Sequence, residues 1–191
     1  YRALKSIVDI DFALKNGRFN TVKELLTRSE ADIEKFGLIF LYPGFVEAEA
    51  LHLVYIRKFD EARQMADHLN DFSILEGNDF YKGISHRIKA LSFLQEERFS
   101  PAHQEIKKAL KELNQAKKGD IHHFLAQLLQ GLIFFGNNDF VKARNTLVPV
   151  LEYFEQISSD LSSTETCFTL GLISWELHET SVAFDYFTQG L

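Results

Sequence analysis

Cysteine, proline and glycine are scarce in this chain, which holds one Cys, three Pro and ten Gly among 191 residues. The single Cys167 excludes an internal disulfide and a multi-thiolate zinc site, and it favours a reducing, cytoplasmic location. So few prolines and glycines argue against a turn-rich all-β fold. No apolar run approaches the roughly 20 residues that a membrane-spanning helix needs, so no membrane partner is expected.

Positively charged residues are fewer than negatively charged ones: the chain has 21 Lys and Arg and 27 Asp and Glu, so its formal net charge is -6. A surface of this sign repels nucleic acid and anionic lipid, so this segment is not expected to bind nucleic acid directly. With 46% hydrophobic residues, the composition is that of a globular protein with a sizeable core.

An internal repeat of about 40 residues is the strongest pattern in the chain. Five positions, which we call the anchors, recur at spacings of 40, 40, 41 and 40 residues. The anchors are Phe19, Phe59, Phe99, Phe140 and Thr180. Four of the five units also have a small residue nine positions before the anchor, where we expect the backbone of a neighbouring helix to pass closely. These small residues are Ala50, Ala90, Gly131 and Gly171.

Each unit is predicted to be two helices joined by a tight turn at the anchor. The residue after the anchor is a good N-cap in four units, because its side-chain oxygen can accept a hydrogen bond from the first turn. These predicted caps are Asn20, Asp60, Ser100 and Ser181. The first helices are expected over roughly 2–16, 45–57, 80–96, 120–136 and 162–177, with Pro43 opening the second of them. Pro149 lies inside a predicted second helix and indicates a kink or an early helix end.

This pattern resembles the tetratricopeptide-like (TPR-like) helical repeat family. The family has a small residue in the first helix, an aromatic residue at the turn and an alanine three positions later, as in Ala90, Phe99 and Ala102. The repeat here is longer than the usual 34 or so residues, and the first unit departs from the pattern at Ile10 and Val22. The resemblance implies an all-α fold, a right-handed superhelix of about five antiparallel helix pairs.

The expected organisation is a single array of repeats over residues 1–191. The units are about 1–40, 41–78, 79–119, 120–160 and 161–191. Only 11 residues follow Thr180, so the last unit is incomplete and the chain is predicted to be a fragment of a longer array. Arrays with such long repeats are similar to the sensor arrays of bacterial transcriptional regulators of the maltose-activator and peptide-sensing types, which implies a regulatory role.

The resemblance also implies that the first-helix surface facing the hollow of the superhelix binds the partner. Arg87 is the preferred polar contact, because its planar guanidinium can bind a carboxylate through two hydrogen bonds. In units four and five this surface is apolar and aromatic. Closure of the superhelix or a self-dimer could instead bury the surface, and both alternatives stay open. The predicted ligand-contacting residues are Tyr55, Arg87, Leu91, Gln95, Leu128, Leu132, Phe135, Phe168, Leu172 and Trp175.

No catalytic motif occurs in the sequence, so an enzyme is not expected. The seven histidines lack the spacing of metal ligands, Cys167 is interpreted as a buried packing residue, and no metal or cofactor is expected. The leading hypothesis is a non-enzymatic binding module for a peptide or protein segment, with a small-molecule effector as a further partner. The alternative is a structural scaffold or oligomerisation segment, such as a homodimer, with no small ligand.

Overall fold

The computed structural model describes residues 2–117 and 120–191, and these residues form ten α-helices and no strand. The all-α fold class is therefore confirmed. A short 3-10 turn, Ile39–Leu41, precedes the third helix. The helices are α1 (Arg2–Lys15), α2 (Phe19–Phe36), α3 (Tyr42–Tyr55), α4 (Phe59–Glu76), α5 (Asp79–Gln95), α6 (Phe99–Lys117), α7 (Ile121–Gly136), α8 (Phe140–Gln156), α9 (Asp160–Glu176) and α10 (Thr180–Gln189).

The helices pack in chain order, each against the one before it and the one after it. The odd-numbered helices also contact one another in series, α1 with α3, α3 with α5, α5 with α7 and α7 with α9. The even-numbered helices make no comparable series of contacts among themselves in the described part of the chain. The odd-numbered helices therefore form one layer, and the even-numbered helices pack on its other side.

Helix α7 shows why the first helices are apolar on more than one face. Its Ala126, Leu129 and Ile133 belong to the hydrophobic cluster built by helices α1 to α6. Leu128, on another face of the same helix, belongs to the cluster formed with α8 and α9. A helix packed between its own partner and the next pair must bury both faces, as the sequence predicts.

The turn inside each helix pair has the same backbone hydrogen bonds in all five pairs. In the third pair, the amide of Glu97 donates to the carbonyl of Leu94 (2.8 Å), and the amide of Arg98 donates to the carbonyl of Phe93 (2.9 Å). This pairing is a Schellman motif, in which one residue adopts the left-handed conformation. That residue has a positive φ in each pair and is Gly17, Arg57, Glu97, Asn138 or His178.

The predicted N-caps at Asn20, Asp60, Ser100 and Ser181 are wrong, because each second helix already begins at its anchor. The Schellman turn ends the first helix with backbone hydrogen bonds and leaves one residue before the anchor. That residue takes the N-cap position, and its φ and ψ are -92° and 66° at Lys58. In this conformation the chain enters the second helix without a side-chain cap at Lys58.

The turn conformation predicts a stabilising substitution at Glu97. A residue with a Cβ atom is strained at its φ of 58°, whereas glycine is not. We therefore expect Glu97→Gly to raise the free energy of unfolding by up to about 1 kcal/mol, measured by urea denaturation. Gln104→Gly, at an exposed site inside α6, is the control and should lower it by about 1 kcal/mol. If Glu97→Gly is also destabilising, the left-handed conformation at residue 97 is incorrect.

The predictions for Pro43 and Pro149 have different outcomes. Pro43 lies in the first turn of α3, as predicted. Pro149 does not end α8, which continues to Gln156, so the predicted early end is wrong and the kink stays a prediction. The side chains of Leu147, two residues before Pro149, and Val150, directly after it, are both buried. Helix α8 therefore packs against the core on both sides of the proline.

The two glycines nine positions before an anchor, Gly131 and Gly171, pack against side chains of their own partner helix. A Cβ atom on Gly131 would lie 2.3 Å from Cδ2 of Leu147, and one on Gly171 would lie 2.4 Å from Cε1 of Phe187. Leu147 and Phe187 both stand seven positions after an anchor. In these two units the atoms nearest to the added Cβ therefore belong to a side chain of the partner helix, and the close approach of a helix backbone stays a prediction.

Among the described residues, no helix combines the length and the apolar character needed to cross a bilayer.

Candidate functional site

A groove with a volume of about 410 Å³ runs across all five odd-numbered helices. We call it the odd-helix groove. Because these helices contact one another in series, their side chains line one continuous depression. It is lined by Ile7, Leu14, Gly44, Glu47, Ala48, Leu51, Tyr55, Arg87, Leu91, Ile121, His122, Leu125, Leu128, Leu129, Leu132, Ser159, Leu161, Ser162 and Glu165.

Most of the groove wall is aliphatic, and part of it is open to solvent. Tyr55, Ile121 and Leu161 have exposed fractions of 51%, 40% and 49%. An apolar depression of a few hundred Å³ with a small number of polar groups is typical of a ligand-binding site. Contiguous exposed apolar surface on a protein commonly marks an interaction site.

The wall contains an ion pair that joins two neighbouring odd-numbered helices. The guanidinium Nη2 of Arg87 on α5 donates to Oε1 of Glu47 on α3, and Nδ1 of His122 on α7 lies 3.6 Å from the same oxygen. The side chains of Arg87 and Glu47 are only 8% and 17% exposed. The contact therefore connects three helices at the wall of the groove.

The second charged group is the carboxylate of Glu165 on α9. Within residues 2–117 and 120–191 it has no hydrogen bond and no ion-pair partner. The side chain is accessible to solvent, but protein surrounds it on most sides, and the resulting desolvation raises its pKa. Glu165 is thus a carboxylate in a largely apolar groove without a cation to balance it.

Five of the ten predicted ligand-contacting residues line the groove, and five do not. Those in the wall are Tyr55, Arg87, Leu91, Leu128 and Leu132. Arg87 is engaged by Glu47 rather than open to a ligand, which changes its expected role. The residues outside the wall are Gln95, Phe135, Phe168, Leu172 and Trp175.

The predicted residues outside the groove have other surroundings. The ring of Phe135 lies 5.8 Å from that of Phe140 in the same helix pair. The ring of Phe168 lies 5.3 Å from that of Phe187 on α10. Leu172 and Trp175 are 37% and 56% exposed, on a part of α9 that the groove does not reach.

The five predicted residues outside the wall have one feature in common: the distance between the lining residues and the anchor changes from unit to unit, so the groove crosses the odd-numbered helices obliquely. In the second unit, Tyr55 lines the wall four residues before its anchor, whereas in the fifth unit Glu165 lines it fifteen residues before Thr180. A prediction that uses the same offset in every unit follows a straight line along the array. It therefore misses Leu161 and Ser162, and it places Phe168 and Trp175 in the wall.

Two residues of α1 were also missed, although the sequence carried a signal for both. Ile7 lies twelve residues before Phe19, the offset that Arg87 has from its own anchor, and Leu14 lies five residues before Phe19, the offset of Phe135. Applying the repeat to the first unit would have found both. His122 and Ser159 carry no such signal, because they lie further from the anchors than the mapped positions.

The part of the chain that the structure describes has no exposed thiol and no cluster of metal ligands. Cys167 is 1% exposed, which confirms that it is a buried packing residue, and its burial raises the pKa of the thiol. Within 2–117 and 120–191, no three side chains of the His, Cys, Asp and Glu types are grouped as metal ligands would be. His86 instead contacts Glu105 on α6, with Nδ1 at 2.7 Å from Oε2.

Comparison with known proteins identifies no relative from which a function could be carried over. No protein-family model matches the chain, and no curated protein or solved structure is significantly similar to it.

Proposed function

We propose that this chain is a non-enzymatic binding module that holds a peptide or protein segment in the odd-helix groove. The observation that carries the proposal is the groove itself, an apolar and solvent-open depression to which all five odd-numbered helices contribute. A wall of this kind binds through burial of apolar surface. Each leucine-sized side chain of a ligand that is buried there contributes about 1.5–3 kcal/mol.

A peptide is the preferred occupant because the groove extends across five helices and is not closed around one compact molecule. Its polar groups are spread along the wall, from Glu47 and Arg87 in the middle units to Ser162 and Glu165 in the last. An extended segment with alternating apolar and polar groups can reach such separated positions at once. A small-molecule effector would use only part of this wall.

The proposal is tested by selecting short random peptides against the protein and comparing two groove variants. Tyr55→Ala and Leu161→Gln each remove an exposed apolar group of the wall, so both should weaken binding of the selected peptides by about tenfold. Leu75→Gln is the control, since Leu75 on α4 is 82% exposed and lies outside the groove. Dissociation constants are measured by calorimetry, and unfolding midpoints show that the variants remain folded. Equal affinity in all variants, or failure to select any peptide, would contradict the proposal.

We further propose that the helix pairs are TPR-like units stacked in a right-handed superhelix and that the array senses a ligand for a larger, transcription-regulating protein. The repeated Schellman turns and the serial contacts of the odd-numbered helices support a regular stack. In such an array, a ligand that binds one curvature better than another shifts the population toward it. A crystal structure with and without a selected peptide would test both the handedness and the change in curvature.

Self-association is the second candidate function, and exposed apolar side chains outside the groove favour it. Phe168 and Trp175 on α9 and Phe184 on α10 are 58%, 56% and 68% exposed. Such a surface suits a scaffold or a homodimer. Sedimentation equilibrium distinguishes this candidate, because Trp175→Ala should then weaken a concentration-dependent dimer while leaving peptide binding in the groove unchanged.

A further inference from the structure

The charges of the odd-helix groove are unbalanced. Among the described residues that line it, Arg87 is the one of the Lys and Arg types, and it is already paired with Glu47. Glu165 has no such partner among the described residues. Counted over the Lys, Arg, Asp and Glu side chains that the structure describes in the wall, one carboxylate is therefore in excess.

A carboxylate beside apolar side chains is poorly solvated, and an approaching cation compensates for the missing water. Leu161 and Ser162, one helical turn before Glu165, line the same wall. Neither can supply positive charge. A ligand that is apolar along most of its length and positively charged at one point would satisfy both the aliphatic wall and this carboxylate.

We infer that the groove is specific for apolar peptide segments that carry one lysine or arginine, whose cationic group pairs with Glu165. This inference rests on the proposed peptide-binding function and adds the chemistry of the ligand to it. An acidic peptide is disfavoured at the same place, because it brings a like charge to Glu165 and would have to displace Glu47 from Arg87. The groove thus selects its ligand by charge as well as by apolar surface.

The test uses three acetylated and amidated pentapeptides with leucine at the four outer positions and lysine, norleucine or glutamate at the centre. Norleucine keeps the aliphatic length of lysine and lacks its charge. We expect the lysine peptide to bind the protein about tenfold more tightly than the norleucine peptide, and the glutamate peptide to bind most weakly. Isothermal titration calorimetry of the full chain measures all three affinities.

Two variants locate this preference at Glu165. In Glu165→Gln the lysine and norleucine peptides should bind within about twofold of each other, and in Glu165→Lys the glutamate peptide should become the tightest of the three. Glu176→Gln is the control, because Glu176 is an exposed carboxylate on the same helix but outside the groove. It should keep the tenfold preference for lysine.

The outcomes separate this inference from the proposed function. If all three peptides bind the protein equally well and Leu161→Gln weakens them together, the groove binds peptides but the charge preference is wrong. If the preference for lysine survives Glu165→Gln, the cation is recognised elsewhere and the inference is overturned. If none of the three binds, and random peptides also fail, the proposed function itself is contradicted.

Discussion

Replacing Arg87 by methionine is expected to lower the free energy of unfolding by about 3 to 5 kcal/mol. Methionine keeps much of the aliphatic stem but removes the guanidinium, so the carboxylate of Glu47 stays largely buried without its cation. The side chain of Glu47 is 17% exposed, which leaves little water to compensate for the loss. Urea denaturation of the variant at neutral pH measures the effect.

Two further variants show whether burial is the cause. Lys89→Met removes a neighbouring cation on α5 whose partner, Asp67, is 59% exposed, and this change should cost no more than about 1 kcal/mol. Combining Arg87→Met with Glu47→Gln removes both charges, so the double variant should be more stable than Arg87→Met alone. A loss at Arg87 no larger than the loss at Lys89 would contradict a buried ion pair.

The second large effect is expected at Gly131, where alanine should lower the free energy of unfolding by about 2 to 3 kcal/mol. The added Cβ would lie 2.3 and 2.4 Å from two carbon atoms of Leu147, a side chain that is fully buried and cannot move aside. This overlap outweighs the gain of up to about 1 kcal/mol that alanine usually brings to a helix interior. Thermal and urea denaturation of Gly131→Ala measure the difference.

Gly44→Ala is the matched control for this prediction. Gly44 is also a helical glycine in a first helix, but the nearest atoms to its added Cβ belong to Ile7 at 3.9 Å, an ordinary contact distance. We expect Gly44→Ala to leave the stability unchanged or to raise it by up to about 1 kcal/mol. Similar effects of the two substitutions would show that α7 and α8 are less closely packed than described.

These two sites matter for the proposed function because both set the positions of residues that line the groove. Arg87 and Glu47 join α5 to α3 at the wall, so the pair holds neighbouring units at a defined distance. Gly131 brings α8 close to α7, the helix that supplies Leu125, Leu128 and other wall residues. We therefore interpret Arg87 as a residue that supports the groove, whereas Glu165 is the charged group that a ligand can reach.

The helical pairs could be predicted from local patterns alone. An anchor recurs every 40 or 41 residues, and apolar residues lie at helical spacing on both sides of it. This local pattern indicates two helices per unit without information from the other units. The first helices accordingly lie within a few residues of the predicted ranges. Cys167 could be assigned to the core for a different reason, because free cysteine is among the most often buried residue types.

The helix starts and the course of the groove could not be obtained in this way. Each second helix begins at its anchor because the Schellman turn, which is made of backbone hydrogen bonds, leaves one connecting residue between the two helices. The capping preferences of side chains carry no information about such a turn. Likewise, the residues that line the groove stand at different distances from the anchor in different units. Tyr55 therefore lies in the wall, whereas Trp175, near the same end of its own helix, lies outside it.

Periodicity and spacing along the chain thus specify the helices, their pairing and the apolar character of the first helices, since these depend on contacts within one or two units. The pairing of Arg87 with Glu47, and the lack of a partner for the Glu165 side chain among the described residues, depend on how neighbouring units are placed. Both follow from the distances between side chains of different units, which no local pattern contains. The charge that the groove offers to a ligand is for this reason a property of the tertiary structure.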